Sequence, residues 1–557
     1  MGATSSKGRY KVNDSSHDTS YLLDQFVSNQ LLFEMYDNAT LDYMQQAEEN
    51  NDAHANYQLG NFYHHGLGYK CNKDLEKAYQ YYEKAIEQEH PTAMYMICKL
   101  FGSDKRKNSQ DCVKLMNEKK LINMKARYYI RSAAQDPYYS MAHEELGYHY
   151  VYSPVWRREI KEIFSSYRNI VKNSNQSSKE ELARIYNELG YLAVRLNANE
   201  DQAVFRKAFD FFKRAAELGN PAGYFNIGGW LYYNGFGVDK DESKKLEYYK
   251  KAAHDGHPRA LYIVANNYHF SYLESRNDEL ENALDLFLSA SQYGFAEILY
   301  FIGEFFLYGR GGVKQDYEKA RDYFERAAVA TDFTTGRGNA WSNYVLGYMY
   351  EKGHGVECDY NKAAHHYALS AKKEYYVAYC RLAKLVEKRK LKTSDLYTAV
   401  ELYQAAVDSD DDFAVCYALY RLGKIYGIPD SGFYDRAKAT SYLRAAQANQ
   451  LYAVKIQDTA VVGQLYRSGV MYEKGLGVSP NRELAIKYYQ KAAELSKQSY
   501  NMFERYNGGK AQKCFDRLAF RGTADAEEAN EEENIEHHIK ENLEQAEITN
   551  ASDDEQQ

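Results

Sequence analysis

The sequence predicts an all-α fold, a right-handed α-α superhelix of about ten to eleven helix pairs with helical caps. Three observations predict it. First, alanines recur seven residues apart inside Tyr- and Phe-rich segments: Ala78/Ala85, Ala126/Ala133, Ala208/Ala215, Ala283/Ala290, Ala320/Ala327, Ala364/Ala371, Ala399/Ala406, Ala439/Ala446 and Ala485/Ala492. Two helical turns separate the members of each pair, so both lie on one face, where a minimal side chain lets a second helix come close. Second, the segments themselves recur with a period of about 35 to 45 residues, the scale of one helix hairpin. Third, the 557-residue chain exceeds a normal single-core domain, yet it shows no composition break at its middle and holds only 7 Pro. Stacked repeats reconcile that length with one architecture. The 56 Tyr, against 3 Trp and 24 Phe, suit a thin two-layer structure whose phenol hydroxyls reach water or a partner.

In chain order, residues 1–20 form a polar, Ser-rich arm expected to be disordered. Residues 21–52 place Leu22, Phe26, Leu32, Phe33 and Tyr36 at helical spacing, which fits capping helices over the first repeat. Residues 53–498 form the array. Its clearest units begin LGNFYHHGLG (Leu59 to Gly68), LGYMYEKGHGV (Leu346 to Val356) and SGVMYEKGLGV (Ser468 to Val478). Each leads through a short polar stretch into an Ala-Tyr-Tyr helix: KAYQYYEKA, KAAHHYALSA and LAIKYYQKAA. The glycines at the turn permit reversal within a few residues. Between Tyr148 and Gly190 one pair is expanded or atypical, with basic and Ser-rich segments at Trp156 to Lys161 and Ser174 to Lys179. Residues 499–522 are expected to cap the far end, and 523–557 form an acidic tail too poor in apolar surface to fold alone.

The pattern A-x-x-x-L-G-x-x-Y-x-x-G-x-G-V followed by D-x-x-K-A-x-x-Y-x-x-A-A-x-x-G resembles the Sel-1-like repeat, a relative of the tetratricopeptide repeat. Ala55 to His90, Ala222 to Gly256, Ile298 to Ala328 and Val345 to Ala371 match it well, and the other units are degenerate. The resemblance implies a noncatalytic scaffold or adaptor that binds other proteins through a concave surface lined by the first helices of each pair. Candidate groove positions are Asn56, Tyr57, Asn61, Asn187, Asn226, Asn267, Asn343 and Tyr344, because amides bond peptide backbone and Tyr supplies contact area. The alternative is a regulatory subunit or activator of a single membrane-associated enzyme, of the kind that fungal chitin-synthase regulators represent in this family. This chain ends Asp-Glu-Gln-Gln, without the C-terminal prenyl motif of those regulators. A hydrolase with an unrecognised site is a third reading. Disulfide-rich secreted members associated with β-lactam binding do not fit, since the 7 cysteines here are not repeated in phase.

Charge and chemistry narrow the classes. The formal charge is −8, but Asp525 to Gln557 alone carries 13 acidic residues and one basic residue, so the body is close to neutral. A nucleic-acid binder would concentrate basic charge on the folded part. No C-x-x-C is present, which points to reduced thiols in a cytosolic compartment. His143-Glu144-Glu145 lacks the second histidine of H-E-x-x-H, because position 147 is Gly. The pairs His64/His65, His365/His366 and His537/His538 set adjacent imidazoles about 100° apart on a helix, poor geometry for a shared metal. The runs at Gly309 to Gly312 and Gly353 to Gly355 lack the G-K-[ST] of a phosphate loop. Catalytic residues, metal ligands, cofactors and a small-molecule substrate are therefore not expected.

One terminal motif carries chemistry. Met1-Gly2-Ala3-Thr4-Ser5-Ser6-Lys7 satisfies M-G-x-x-x-[ST], the requirement for acylation of the Gly2 amine. A single myristoyl chain binds membrane with K of only about 10⁴ M⁻¹. Lys7, Arg9 and Lys11 add up to ~1 kcal/mol each near an anionic leaflet, while Asp14, Asp18 and the acidic tail oppose it. The expected location is the cytoplasm, with reversible attachment to the cytoplasmic face of a membrane. No apolar run reaches the ~18 residues of a span, and the start lacks the apolar stretch of a signal peptide.

Overall fold

The structure, a computed structural model, describes residues 20–67, 71–100, 118–135, 141–173, 177–197, 201–275, 280–291, 296–330, 337–391, 395–409, 411–429, 431–455, 461–498 and 502–520. Every regular element among them is helical. Helices α1 (Ser20–Asp24) and α2 (Asn29–Asn50) precede eleven pairs. The first four are α3 (Ala53–His65) with α4 (Leu75–Glu87), α5 (Pro91–Leu100) with α6 (Glu118–Gln135), α7 (Met141–Tyr152) with α8 (Pro154–Lys172), and α9 (Lys179–Arg195) with α10 (Gln202–Glu217). Next come α11 (Ala222–Asn226), continued as a π-helix over Ile227–Tyr233, with α12 (Glu242–His254), then α13 (Pro258–Ser275) with α14 (Leu280–Ala290) and α15 (Ala296–Tyr308) with α16 (Tyr317–Val329). The last are α17 (Arg337–Lys352) with α18 (Tyr360–Lys372), α19 (Tyr376–Glu387) with α20 (Leu396–Val407), α21 (Asp412–Tyr426) with α22 (Arg436–Lys455) and α23 (Val461–Lys474) with α24 (Arg482–Gln498). Helix α25 (Met502–Phe520) follows and packs on α23 and α24. The fold is the all-α repeat architecture that the alanine spacing predicts.

The array divides into two compact units, residues 28–366 and residues 367–520 with 20–27. In both, one local device builds the hairpin. A glycine on the first helix leaves a notch that a ring of the second helix fills. An added Cβ would come within 2.5 Å of the Tyr82 ring at Gly60, 2.6 Å of Phe212 at Gly190, 2.6 Å of Phe324 at Gly303 and 2.6 Å of Tyr489 at Gly469. The paired alanines flank these rings with no exposed surface at Ala78, Ala85, Ala208, Ala215, Ala320, Ala327, Ala485 and Ala492. Small residues on both sides let the two helices approach until the ring seats.

The remaining motif letters have equally local causes. The Asp of D-x-x-K caps the second helix: Asp241 accepts from the Lys244 amide at 2.9 Å, Asp316 from Lys319 at 3.0 Å and Asp435 from Lys438 at 3.0 Å, each cap worth about 1 kcal/mol. The same residue donates its own N–H back to the first helix, from Asp74 to Tyr63, Asp241 to Tyr232, Asp316 to Phe306 and Asp435 to Tyr426. The motif Lys then lies over that same ring, 5.0 Å for Lys77 on Tyr63 and 5.3 Å for Lys319 on Phe306. The first Tyr of the Tyr-Tyr pair stacks beside it, 5.6 Å for Tyr63 and Tyr81, 5.8 Å for Phe306 and Tyr323, and 5.6 Å for Tyr472 and Tyr488. The second Tyr enters the notch. Where that ring is a phenol its hydroxyl is satisfied on the facing helix, Tyr82 donating to Asn61 at 2.7 Å and Tyr489 to Glu473 at 2.7 Å. The abundance of Tyr is thus a consequence of the repeat.

Helix α2 covers α3, as an end cap would, and also reaches α16 within the same unit. The Asp42 carboxyl on α2 accordingly senses Asp322 and Arg326, although burial is the larger cause of its upward shift.

Candidate partner-binding surface

Seven of the eight groove positions are buried: Asn56, Tyr57, Asn61, Asn187, Asn226, Asn343 and Tyr344, none more than 6% exposed. Only Asn267 is exposed. The amides bind the array itself. Asn187 and Asn226 both donate to the carbonyl of Ala134, at 2.8 Å each, and Asn226 also donates to Asn187 at 2.8 Å. Asn56 donates to the Asp52 carbonyl at 2.9 Å, and Asn343 is hydrogen-bonded to the Asn339 carbonyl at 2.9 Å and to His366 at 3.1 Å. Tyr57 stacks on His90 with centroids 4.6 Å apart. Asn187 and Asn226 thus satisfy a helix-end carbonyl across a repeat seam, where an unpaired C=O would cost more than an amide side chain does, and Asn56 and Asn343 bond carbonyls of their own helix starts. The structure therefore gathers Asn187 with Asn226 and scatters the rest. Gly2, Lys7, Arg9, Lys11 and the tail from 523 lie outside the described residues.

The adjacent imidazoles occupy different settings. His64 and His65 stack at 4.6 Å, and burial holds His64 down to about 4. His365 and His366 meet edge-on at 5.3 Å, with His366 held by burial at about 3. His143 is hydrogen-bonded to the Tyr191 hydroxyl at 2.9 Å, and Glu145 pairs with Lys99.

The surface that turns outward is the pair α7 and α8. Its first helix carries the usual Leu146-Gly147, yet the notch at Gly147 faces the Arg195 guanidinium of α9. No ring of α8 fills it. Helix α8 instead buries Trp156, Ile160, Ile163 and Tyr167, with Trp156 stacked on His149 at 4.1 Å and near-parallel to Tyr129 at 5.9 Å. Glu188 of α9 is fully enclosed below it, held by Arg184 at 2.9 Å and by Tyr167, and burial pushes its carboxyl up.

The seam that this displacement leaves open is apolar. Among the described residues eleven large hydrophobics are exposed, and five of them lie on this one pair: Met141, Tyr148, Val151, Tyr152 and Val155, a concentration that single scattered exposures do not give. Tyr148 and Tyr152 stand 61% and 71% exposed with rings 4.9 Å apart. Arg157 joins this patch to α8, donating to the carbonyls of Tyr150 at 2.9 Å and Val151 at 2.6 Å. Beyond it a cleft of about 870 Å³ runs along α8, lined by Arg158, Lys161, Ser165, Asn169 and Asn173 among others. Arg158, Lys161, Arg168 and Lys172 are exposed on α8. Among the described residues, Arg158 and Lys161 have no carboxylate within ion-pair distance. Sequence reasoning marked this stretch as atypical and its Trp156 to Lys161 segment as basic, but assigned none of these side chains to binding. The available signals were Pro154 directly after a Tyr-rich helix and the basic run that follows it.

Comparison with known proteins identifies the repeat, and its gaps fall on other helix pairs as well as on α7 and α8. The Sel1 repeat model matches residues 53–90, 199–220, 221–257, 296–328, 342–375, 416–446 and 465–497, passing over the segment that holds α7 and α8. Chitin synthase regulatory factor 3 of Schizosaccharomyces pombe is 24% identical over 331 residues, 56% of this chain and 34% of that protein. The Saccharomyces cerevisiae chitin synthase regulator SKT5 is 25% identical over 290 residues, 50% of this chain and 38% of that protein. The chain thus spans under two fifths of the length of these curated relatives. A solved protective antigen of uropathogenic Escherichia coli, displaying an SLR fold, is 19% identical with a TM-score of 0.43, covering 88% of this chain and 99% of its own.

Proposed function

We propose that this Sel1-repeat protein is a noncatalytic binding platform that docks a partner protein on the face formed by α7 and α8. Sel1 repeats are protein-interaction modules, and the observation that carries the reading here is the apolar patch at Tyr148, Val151, Tyr152 and Val155 joined to a basic helix. Exposed aromatic rings ordered against one another are pre-organised contact area, which binds at low entropic cost. One residue past the glycine, where Tyr148 stands, the regular pairs bury Tyr191 and Tyr348, although the position of Tyr152 is exposed at Tyr233 too.

The names of the two fungal relatives favour a second, narrower reading, a regulatory subunit for one membrane-associated enzyme of the chitin-synthase kind. Acylation at Gly2, aided by Lys7, Arg9 and Lys11, would hold the platform reversibly at the cytoplasmic face of that enzyme's membrane. Purification of the intact chain from its native source tests both. One stoichiometric enzyme supports the regulator, several substoichiometric proteins support the scaffold, and identical partners for the wild type and Tyr148→Ala/Tyr152→Ala would overturn the docking face. Intact mass of the N-terminal peptide and fractionation of Gly2→Ala test the anchor, which fails if the variant stays with the membrane.

A further inference from the structure

We infer that the α7–α8 face takes an acidic, amphipathic segment of a partner protein, with aliphatic side chains on the Tyr148–Tyr152 patch and carboxylates along α8. The inference rests on the preceding reading that this face is the docking surface and adds the chemistry of what docks.

Charge complementarity carries it. On α8 the exposed ionic residues are Arg157, Arg158, Lys161, Arg168 and Lys172 against Glu162. Helix α6 holds as many basic residues, so what distinguishes α8 is their placement: Arg158, Lys161, Arg168 and Lys172 are all exposed on it. Arg158, Lys161, Arg168 and Lys172 follow spacings of three, seven and four, which places them as one ridge about 21 Å long at 1.5 Å per residue. Such a ridge matches carboxylates repeated along a facing helix or strand.

Two features select a peptide over other polyanions. The apolar patch is continuous with the ridge through Arg157, whose guanidinium is fixed on the α7 carbonyls. A polynucleotide has no aliphatic groups for Val151 and Val155. The ridge also borders a cleft whose lining includes Ser165, Asn169 and Asn173. Hydroxyl and amide groups at helical spacing can donate to and accept from a bound backbone or side chain. A lipid headgroup layer is flat at this scale and would meet Glu162 as a like charge. An acidic peptide can place a neutral residue there.

The test uses the full chain and a fluorescent 20-residue helical peptide with Glu at polar positions and Ile or Leu at alternating third and fourth positions. A second peptide carries Lys for every Glu. The Glu peptide is expected to bind saturably, with affinity falling as salt rises. Arg158→Glu/Lys161→Glu should weaken it roughly tenfold or more and improve binding of the Lys peptide. Both residues are exposed, so the melting temperature serves as the check that the fold is intact. Equal affinity for the two peptides, or no change on charge reversal, overturns the inference. So does preference for phosphatidylserine vesicles or single-stranded RNA that the same reversal abolishes. If Tyr148→Ala/Tyr152→Ala abolishes capture of native partners while charge reversal does not, the docking face stands and its acidic ligand falls. If neither variant alters capture, both fall.

Discussion

The pair α15–α16 and the pair α7–α8 begin from the same device, a leucine or isoleucine followed by glycine on the first helix, and spend it in opposite ways. At Gly303 the notch receives Phe324, the ring three residues on, Phe306, stacks on Tyr323, and Lys319 covers it. Both the notch and the ring beside it are used within that hairpin. At Gly147 the notch faces a flexible guanidinium, the corresponding ring Tyr150 carries Arg157, and Trp156 has turned toward His149 and Tyr129. What the regular pair buries, the irregular pair exposes. A repeat array gains stability from identical seams, and it gains a specific surface where one seam is left open.

Acid should weaken both kinds of pair, since burial also lowers His143, to about 4, and His149 on α7. His54 and His366 sit in regular seams, 6% exposed each, held below their ordinary range by burial, His366 at about 3. The unfolded chain takes up protons near 6.5 while these folded imidazoles do not. Stability from residues 28–366 is therefore complete above pH 6.5 and falls as pH drops toward 3, with His366 alone contributing a loss on the order of 1–2 kcal/mol at pH 5. The cations of α8 keep their charge throughout, so docking should persist until unfolding begins. Thermal melts and partner binding between pH 8 and 5 read both, and a pH-independent melt would contradict the burial of these imidazoles.

Substitution at the two glycines comes next in size. Gly303→Ala should cost about 1–3 kcal/mol, because the new methyl meets the seated Phe324 ring. Gly147→Ala should change stability by no more than about 0.5 kcal/mol, since Arg195 can swing aside. Denaturant unfolding of both variants decides, and equal losses would show that α7–α8 packs like its neighbours. A smaller effect is expected at Tyr489→Phe, which strands the Glu473 oxygen that its hydroxyl donates to and should cost about 1 kcal/mol. Smallest is Tyr148→Ala/Tyr152→Ala, with little change in stability and loss of partner capture.

Much of this was legible before the structure. The nine alanine pairs, the Leu-Gly signature and D-x-x-K are local and set by contacts within one hairpin, so spacing alone reveals them. The atypical stretch between Tyr148 and Gly190 was visible for the same reason, as a break in that spacing. The groove asparagines were not readable for two reasons: Asn187 and Asn226 meet the distant Ala134 carbonyl across repeats, while Asn56 and Asn343 turn back on the nearby Asp52 and Asn339 carbonyls. A polar residue on the first helix looks the same in sequence whether it faces a seam or a ligand. The outward patch was hidden for the converse reason. Tyr148 and Tyr152 have the composition of core residues, and only the displacement of α8 leaves them bare.

The most direct test places a photo-crosslinking residue at position 152 in the full chain and, separately, at Tyr233, which is 51% exposed on a regular pair. Irradiation in native lysate should give a discrete protein adduct at 152 that the Arg158→Glu/Lys161→Glu background diminishes, and none at 233. A partner that crosslinks at 233 and spares 152 would contradict the claim that the open seam is where this protein binds.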